Sequence, residues 1–426
     1  MMRSAKKTYE IDMLHGAILP KLLRFAVPLT LSTMLQLLFN AADVVVVGRW
    51  AGDNSLAAVG SNTSLIALLT NMFLGLSIGA NILAARHFGA HEDEELSKTV
   101  HTSILLSLYS GVFLTVIGIL GARTILIWMQ CPANVLDLAT LYLRIYFAGM
   151  TATMLYNFGA ALLRASGDTQ RPLYYLFASG VVNVILNLVF VIYFHMDVAG
   201  VALATVISQC LSAAFVVFFL TKKSELKLRF LHKNEIPECT GHAKNILSLG
   251  AAGFIMQLTN SLVTICCNNI LSVTGGDIYI SVMTIVSSVR QLVETPIYAM
   301  NEGTSPILSY NYGARRPGRV RKSILIMSLL VFGYTAVMWS MIILIPETLI
   351  RIFSSDAALI QDAVPALNMY FAAFIFMDLQ YIGQAVFKSL NKKVFAIFFS
   401  LLRKVFIVVP LTYFLPYAMH MGTDGV

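Results

Sequence analysis

The sequence predicts an all-α membrane protein made of two similar six-helix halves, and three observations carry that prediction: apolar composition, apolar runs of spanning length, and an internal repeat. Apolar residues make up 57% of the 426-residue chain and charged residues only 12%, too few to coat a water-soluble globule. Lipid must therefore be the solvent for most of the surface. Runs of about 20 or more largely apolar residues, enough to cross ~30 Å of hydrocarbon, recur along the whole chain.

Eleven spanning helices are expected in order. Those of the first half have cores near 20–46, 56–84, 100–119, 135–163, 173–194 and 198–220, and those of the second near 246–273, 278–310, 324–345, 359–387 and 394–414. The first run follows a basic start without a small-residue cleavage signature and is too long for a signal peptide, so it reads as a permanent span. Basic residues gather in every second loop: Arg3, Lys6, Lys7, Lys21 and Arg24 at the start, Arg164 and Arg171, the group from Lys222 to Lys244, the group from Arg315 to Lys322, and Lys388, Lys392 and Lys393. By the positive-inside rule the amino terminus and the central linker are expected in the cytoplasm of a bacterial cell, with the spans in its inner membrane. The net charge of +8 then reads as topology and contact with anionic lipid rather than nucleic-acid binding.

The repeat shows as two matches at one constant offset. G-A-N-I-L-A-A-R-H-F-G-A from Gly79 aligns with G-T-S-P-I-L-S-Y-N-Y-G-A from Gly303, and G-A-A-L-L-R-A-S-G-D from Gly159 aligns at the same offset with G-Q-A-V-F-K-S-L-N-K from Gly383. Two polar-marked matches in one register imply duplication. Six spans separate equivalent points, so both halves face the same way, related by a pseudo-two-fold axis along the membrane normal. The expected division is an amino-terminal lobe over 1–221, a polar linker over 222–243 and a carboxy-terminal lobe over 244–426. The second half stops at T-D-G-V, where the first half enters its sixth helix at D-V-A-G-V. The twelfth helix is missing from the chain, and the favoured expectation is that the natural protein continues for about 20 to 30 residues, one span.

Ionisable groups at bilayer depth are costly, at least ~2.5 kcal/mol each on insertion scales, so each calls for a reason. Asp43, three residues after Asn40 and on the same helix face, is the first half's candidate for binding a small cation or a proton, because burial opposes the bare anion. Its alternative is simple hydration near the interface. Asn183 and Asn187, one turn apart, and Thr205 offer hard oxygen ligands suited to sodium, and equally suit helix packing. In the second half Glu294, just before Pro296, and Glu302, eight residues on, can face one cavity and attract cationic molecules. Arg290 at i−4 instead offers Glu294 a local ion pair. Asp378 has no basic neighbour at helical spacing. The membrane-depth charges read as mostly acidic, with Arg144 and Arg290 the exceptions. None of the five cysteines forms a CxxC pair or a metal-ligand spacing with histidine, so no disulfide framework, zinc site or other cofactor is expected.

The duplicated Gly-Ala, the N-A-A-D-V-V-V-V-G-R-W-A-G run, the L-L-R-A-S-G-D-T-Q-R-P loop and E-G-T-S-P-I-L-S-Y-N-Y-G-A together resemble the multidrug and toxic compound extrusion family. The resemblance covers essentially the whole chain. It implies a twelve-helix exporter of drugs or organic cations, acting by sodium or proton antiport, with Asp43, Asn183, Asn187 and Thr205 in a cation site. Several relatives carry an aspartate where this chain has Asn187, which leaves Asp43 as the lobe's main acid and the choice of ion open. Glu302 and Asp378 match acidic positions important in some subgroups.

Two other classes compete. A flippase for lipid-linked oligosaccharide precursors shares the expected fold, but calls for several basic residues to hold pyrophosphate. A membrane enzyme needs paired acids or clustered histidines at a shared site, whereas Asp43, Glu302 and Asp378 stand alone in their helices. The expected partners are small molecules and membrane lipid, with the protein acting as a monomer and without nucleic acid.

Overall fold

A computed structural model of the chain describes residues 11–129, 131–222, 236–351 and 357–425. The basic residues Arg3, Lys6 and Lys7 and most of the expected linker, 223–235, lie outside these. Among the described residues every regular element is helical: α1 (Ile18–Trp50), α2 (Asp53–Ala90), α3 (Asp93–Trp128), α4 (Leu136–Ala148), α5 (Met150–Ala165), α6 (Gln170–Leu188) and α7 (Asp197–Lys222) precede the linker. After it come α8 (Ile236–Thr274), α9 (Gly276–Gly313), α10 (Pro317–Leu344), α11 (Pro346–Arg351), α12 (Ala357–Phe371), α13 (Phe374–Ser389), α14 (Lys393–Leu401) and α15 (Val409–Ala418). Two π-helical segments, Val189–Tyr193 after α6 and Leu402–Val408 between α14 and α15, continue their helices. Eight helices are long and apolar enough to cross a membrane, and two bent pairs raise the number to ten. The chain is a multi-pass membrane protein.

Two of the eleven expected spans are broken rather than continuous. The run 135–163 becomes α4 and α5, bent by 45° at Gly149, and the run 359–387 becomes α12 and α13, bent by 48° at Ala372 and Ala373. Gly149 and Ala373 are equivalent positions in the register that aligns Gly79 with Gly303, so the repeat extends to a feature that hydropathy does not register. A third expected span, 278–310, is helical within α9 and continues through Pro296 and Pro306. It is too polar to count among the ten, since Arg290, Glu294, Asn301 and Glu302 all lie along it.

The chain packs as two compact units. The first comprises Met1–His15 and Pro28–Phe254, and the second Gly16–Val27 and Ile255–Val426. In the first unit one apolar core joins Val46, Val47, Ala58, Leu126, Leu143, Phe147 and Val201 from five helices, and another joins Ala84, Val100, Ala160, Leu163, Val216 and Leu220. Residues 236–243, expected in the linker, are the opening turns of α8. His242 Nε2 contacts Glu95 of α3 at 3.1 Å and its Nδ1 meets the Thr99 hydroxyl at 3.2 Å. Four glycines then let α2 and α8 touch backbone to backbone: a Cβ on Gly79 would stand 2.2 Å from the Ile246 carbonyl oxygen, one on Gly75 2.7 Å from the Phe254 nitrogen, and Gly250 and Gly253 lie opposite. Small residues are how helices approach closely where lipid offers no hydrophobic drive. In the second unit α9 buries Val282, Val286, Val289, Val293 and Ile297 along one stripe, the spacing of a helix face turned to a core.

Candidate functional site

In the first unit α1, α6 and α7 bring four of the expected residues together. Asp43 is 7% exposed, Asn183 is 3% and Asn187 is fully buried. The Asn187 amide donates to Asp43 Oδ1 and also to Asn183 Oδ1 at 3.3 Å. Asn183 in turn donates to the Thr205 hydroxyl at 3.3 Å. That hydroxyl stands 3.5 Å from Asp43 Oδ2, while the nearer Val201 carbonyl, at 3.0 Å, takes the larger share of its proton. Successive turns of α6 therefore supply one carboxylate with a neutral polar cradle, because Asn183 and Asn187 are four residues apart on one face. Asn40 does not join it. Its side chain is exposed on α1, and among the described residues no hydrogen bond ties it to Asp43.

The cradle is under-bonded. The Asn187 side-chain oxygen is buried without a hydrogen-bond partner, a state that is unusual and calls for an occupant or a role. Tyr142 and Tyr146 of α4 lie within electrostatic reach of Asp43. Beside Tyr146 stand Thr70 and Gln209, whose side chains reach its hydroxyl. None of these four was picked out in the sequence. The signal available was weak, since tyrosine, threonine and glutamine scattered over α2, α4 and α7 share no motif. One carboxylate with amide and hydroxyl oxygens fits a hard monovalent cation. Among the described residues no cluster of three or more His, Cys, Asp or Glu could hold a transition metal.

The three acids of the second unit meet different fates. Glu294 accepts from Arg290 Nε at 2.7 Å and from the Tyr381 hydroxyl at 2.5 Å, so the local pair allowed by their spacing forms. Glu302 accepts from Lys388 Nζ at 2.8 Å, a partner on another helix that helical spacing could not reveal. Neither is a free negative charge. Asp378 is fully buried, accepts from the Thr335 hydroxyl at 3.1 Å and leaves Oδ2 without a partner. Their bonds tie Glu294 to Arg290 and Tyr381, Glu302 to Lys388, and Asp378 to Thr335 of α10. The expectation that membrane-depth charge is mostly acidic is corrected as well. Arg403 and Lys404 stand in the middle of the apolar span Lys393–Ala418, and Lys404 is 5% exposed. The rule that singled out the acids applies equally to a basic pair in an apolar run, and would have found them.

A family model described as MatE matches residues 28–189 and again 252–414. The chain belongs to the MatE family. The two matches begin at positions 28 and 252, which the repeat makes equivalent. Among curated MatE-like relatives, the probable multidrug resistance protein YoeA of Bacillus subtilis is 29% identical over 305 residues, 70% of this chain and 66% of that protein. The probable multidrug resistance protein NorM of Thermotoga maritima is 25% identical over 345 residues, 80% of this chain and 73% of that one. A crystal structure of a MATE protein in its bent conformation superimposes with a TM-score of 0.90 over 97% of this chain and 91% of that one, at 23% identity. That likeness establishes the fold.

Proposed function

We propose that this MatE chain is a secondary active exporter of small amphipathic molecules, of the multidrug kind named for its relatives YoeA and NorM, and that sodium or protons drive it through Asp43. The observation that carries the reading is the buried Asp43 carboxylate, cradled by Asn187 and Thr205 beside an orphaned amide oxygen. As it stands, Asn187 gives Asp43 its N–H and turns its oxygen away. Half a turn of that amide about its last side-chain bond exchanges the two. The oxygen then completes the coordination of a sodium ion on Asp43, or accepts the hydrogen of a protonated Asp43. Either ion needs the same swing, and its departure returns the N–H to the bare carboxylate. The bistable amide is thus a local switch that reports ion occupancy to α6.

Glu294 and Glu302 are already paired, which leaves Asp378, with its Oδ2 unpartnered, as the acid of the second unit open to a positive group, so the cargo is read as amphipathic, cationic or not. The bacterial inner membrane, with the amino terminus in the cytoplasm, is the location supported by the distribution of basic residues.

Proteoliposomes loaded with an amphipathic dye, with sodium and pH gradients imposed separately, test the reading. Efflux driven by one gradient and abolished in Asp43→Asn at equal protein density is expected. Gradient-driven efflux that persists undiminished in Asp43→Asn would remove Asp43 from coupling. The absence of efflux under either gradient would turn attention to lipid-linked cargo.

A further inference from the structure

The second unit holds a polar cluster that ion coupling does not use. Arg290, Glu294 and Tyr298 recur every four residues along one face of α9. Arg290 bonds Glu294 and also donates to the Tyr370 hydroxyl of α12 at 2.7 Å, with its guanidinium 5.9 Å from the Tyr370 ring centre. Tyr381 of α13 donates to Glu294, and its ring lies 5.2 Å from that of Tyr298. The π-helical segment Leu402–Val408 carries both Arg403 and Lys404, which lie within electrostatic range of Arg290 and Glu294. The Lys404 ammonium donates to the Met256 carbonyl at 3.1 Å. Arg403 Nε is buried and bonds to nothing.

The charges do not balance. Arg290, Arg403 and Lys404 face the single carboxylate of Glu294. A lysine can shed its proton under such pressure, but an arginine cannot. Arg290 and Arg403 therefore leave at least one permanent positive charge that Glu294 does not meet. Burying an uncompensated charge within a membrane span is costly, and the cost is offset when an anion occupies the site. Tyr298 is 38% exposed and the Arg290 side chain 28%, so the cluster is reachable from outside the protein. π-Helical segments inside otherwise regular helices frequently mark functional positions, and here one carries both of the cations that were not anticipated.

We propose that this cluster is a binding site for the anionic head of an amphipathic molecule. Arg403 and Lys404 hold its carboxylate, sulfonate or phosphate, and the Tyr298, Tyr370 and Tyr381 rings and hydroxyls line its body. The site lies wholly in the second unit and is assigned no part in the Asp43 switch. Two sources present this chemistry, a free organic anion and an anionic lipid headgroup.

The test is equilibrium binding to the full chain in nanodiscs, which reads the site without transport and so stands or falls separately from the export reading. In phosphatidylcholine discs, carboxyfluorescein is expected to bind and ethidium to bind at least tenfold more weakly. Arg403→Gln and Lys404→Met should each weaken carboxyfluorescein about tenfold, the scale of one charge-assisted contact. Arg403→Lys, which keeps the charge, should retain most of the binding and guards against misfolding of the neutral variants. In a second arm the melting temperature is compared between phosphatidylglycerol and phosphatidylcholine discs. A rise with phosphatidylglycerol that Arg403→Gln abolishes identifies a lipid headgroup as occupant, and dye binding without that rise identifies a soluble anion. The proposal is overturned if neither ligand responds to Arg403→Gln and Lys404→Met, or if ethidium binds as tightly as carboxyfluorescein.

Discussion

Glycine at position 79 decides how α8 joins the first unit, and replacing it tests that packing directly. A Cβ there would stand 2.2 Å from the Ile246 carbonyl oxygen and 2.7 Å from the Gly250 nitrogen. Both are backbone atoms of α8, so no side chain can swing aside. Ordinary contact begins at 3.4 Å, a gap that α2 and α8 can supply only by moving apart along their shared seam, an overpacking that typically costs about 1–3 kcal/mol. Against this stands the gain of about 0.5–1 kcal/mol when a helical glycine becomes alanine. Gly79→Ala should therefore destabilise by up to roughly 2.5 kcal/mol, a fall of up to about 3 °C in melting temperature for a chain of 426 residues. Gly60 lies on the same helix with no atom within 4 Å of the equivalent Cβ. Gly60→Ala should show the gain alone and melt higher than wild type. Thermal unfolding of the purified proteins in detergent, followed by helical circular dichroism, separates the two signs. A Gly79→Ala protein as stable as Gly60→Ala would refute the close approach of α2 and α8.

Three further substitutions probe the polar groups. Asn187→Leu removes both the amide donor and the orphaned oxygen at Asp43, and is expected to abolish any sodium- or pH-dependent shift in melting temperature that the wild type shows. Glu302→Gln strands the buried Lys388 ammonium and should cost about 3 kcal/mol, whereas adding Lys388→Met should recover most of it in the same melt. Thr335→Val takes away the hydrogen bond that Asp378 accepts from α10 and should destabilise by about 1–3 kcal/mol; in an Asp378→Leu background the same change should cost far less, and equal costs in both backgrounds would break the pairing.

Local pattern made Asp43, Asn183, Asn187 and Thr205 legible one by one, because polar groups in apolar spans are rare enough to stand out and Asn183 and Asn187 share a helix face; only the family resemblance implied that they assemble around Asp43. It also made the Arg290–Glu294 pair legible, since both partners lie on one turn of one helix. It could not place Asn40, whose proximity to Asp43 in sequence did not bring it into the cradle. The Glu302–Lys388 and Asp378–Thr335 bonds were out of reach, because each joins helices whose rotation about their own axes is set by packing. The bends at Gly149 and Ala373 escaped for a related reason: hydropathy averages over a span and is blind to a change of direction within it.

By itself the sequence determined the solvent, the helical class and the duplication, since each follows from composition or spacing along one dimension. A chain with 12% charge has to bury its backbone bonds in helices when lipid surrounds it, and a constant offset between two halves needs no coordinates to be counted. Only the tertiary structure decided what the buried charges mean. It paired Glu294 and Glu302, left Asn187 with an unmet oxygen, and set Arg403 and Lys404 beside Arg290 with one carboxylate among them. The reason is physical: a charge at bilayer depth takes its character from what stands within about 4 Å of it, and in a helical membrane protein those neighbours come from other helices.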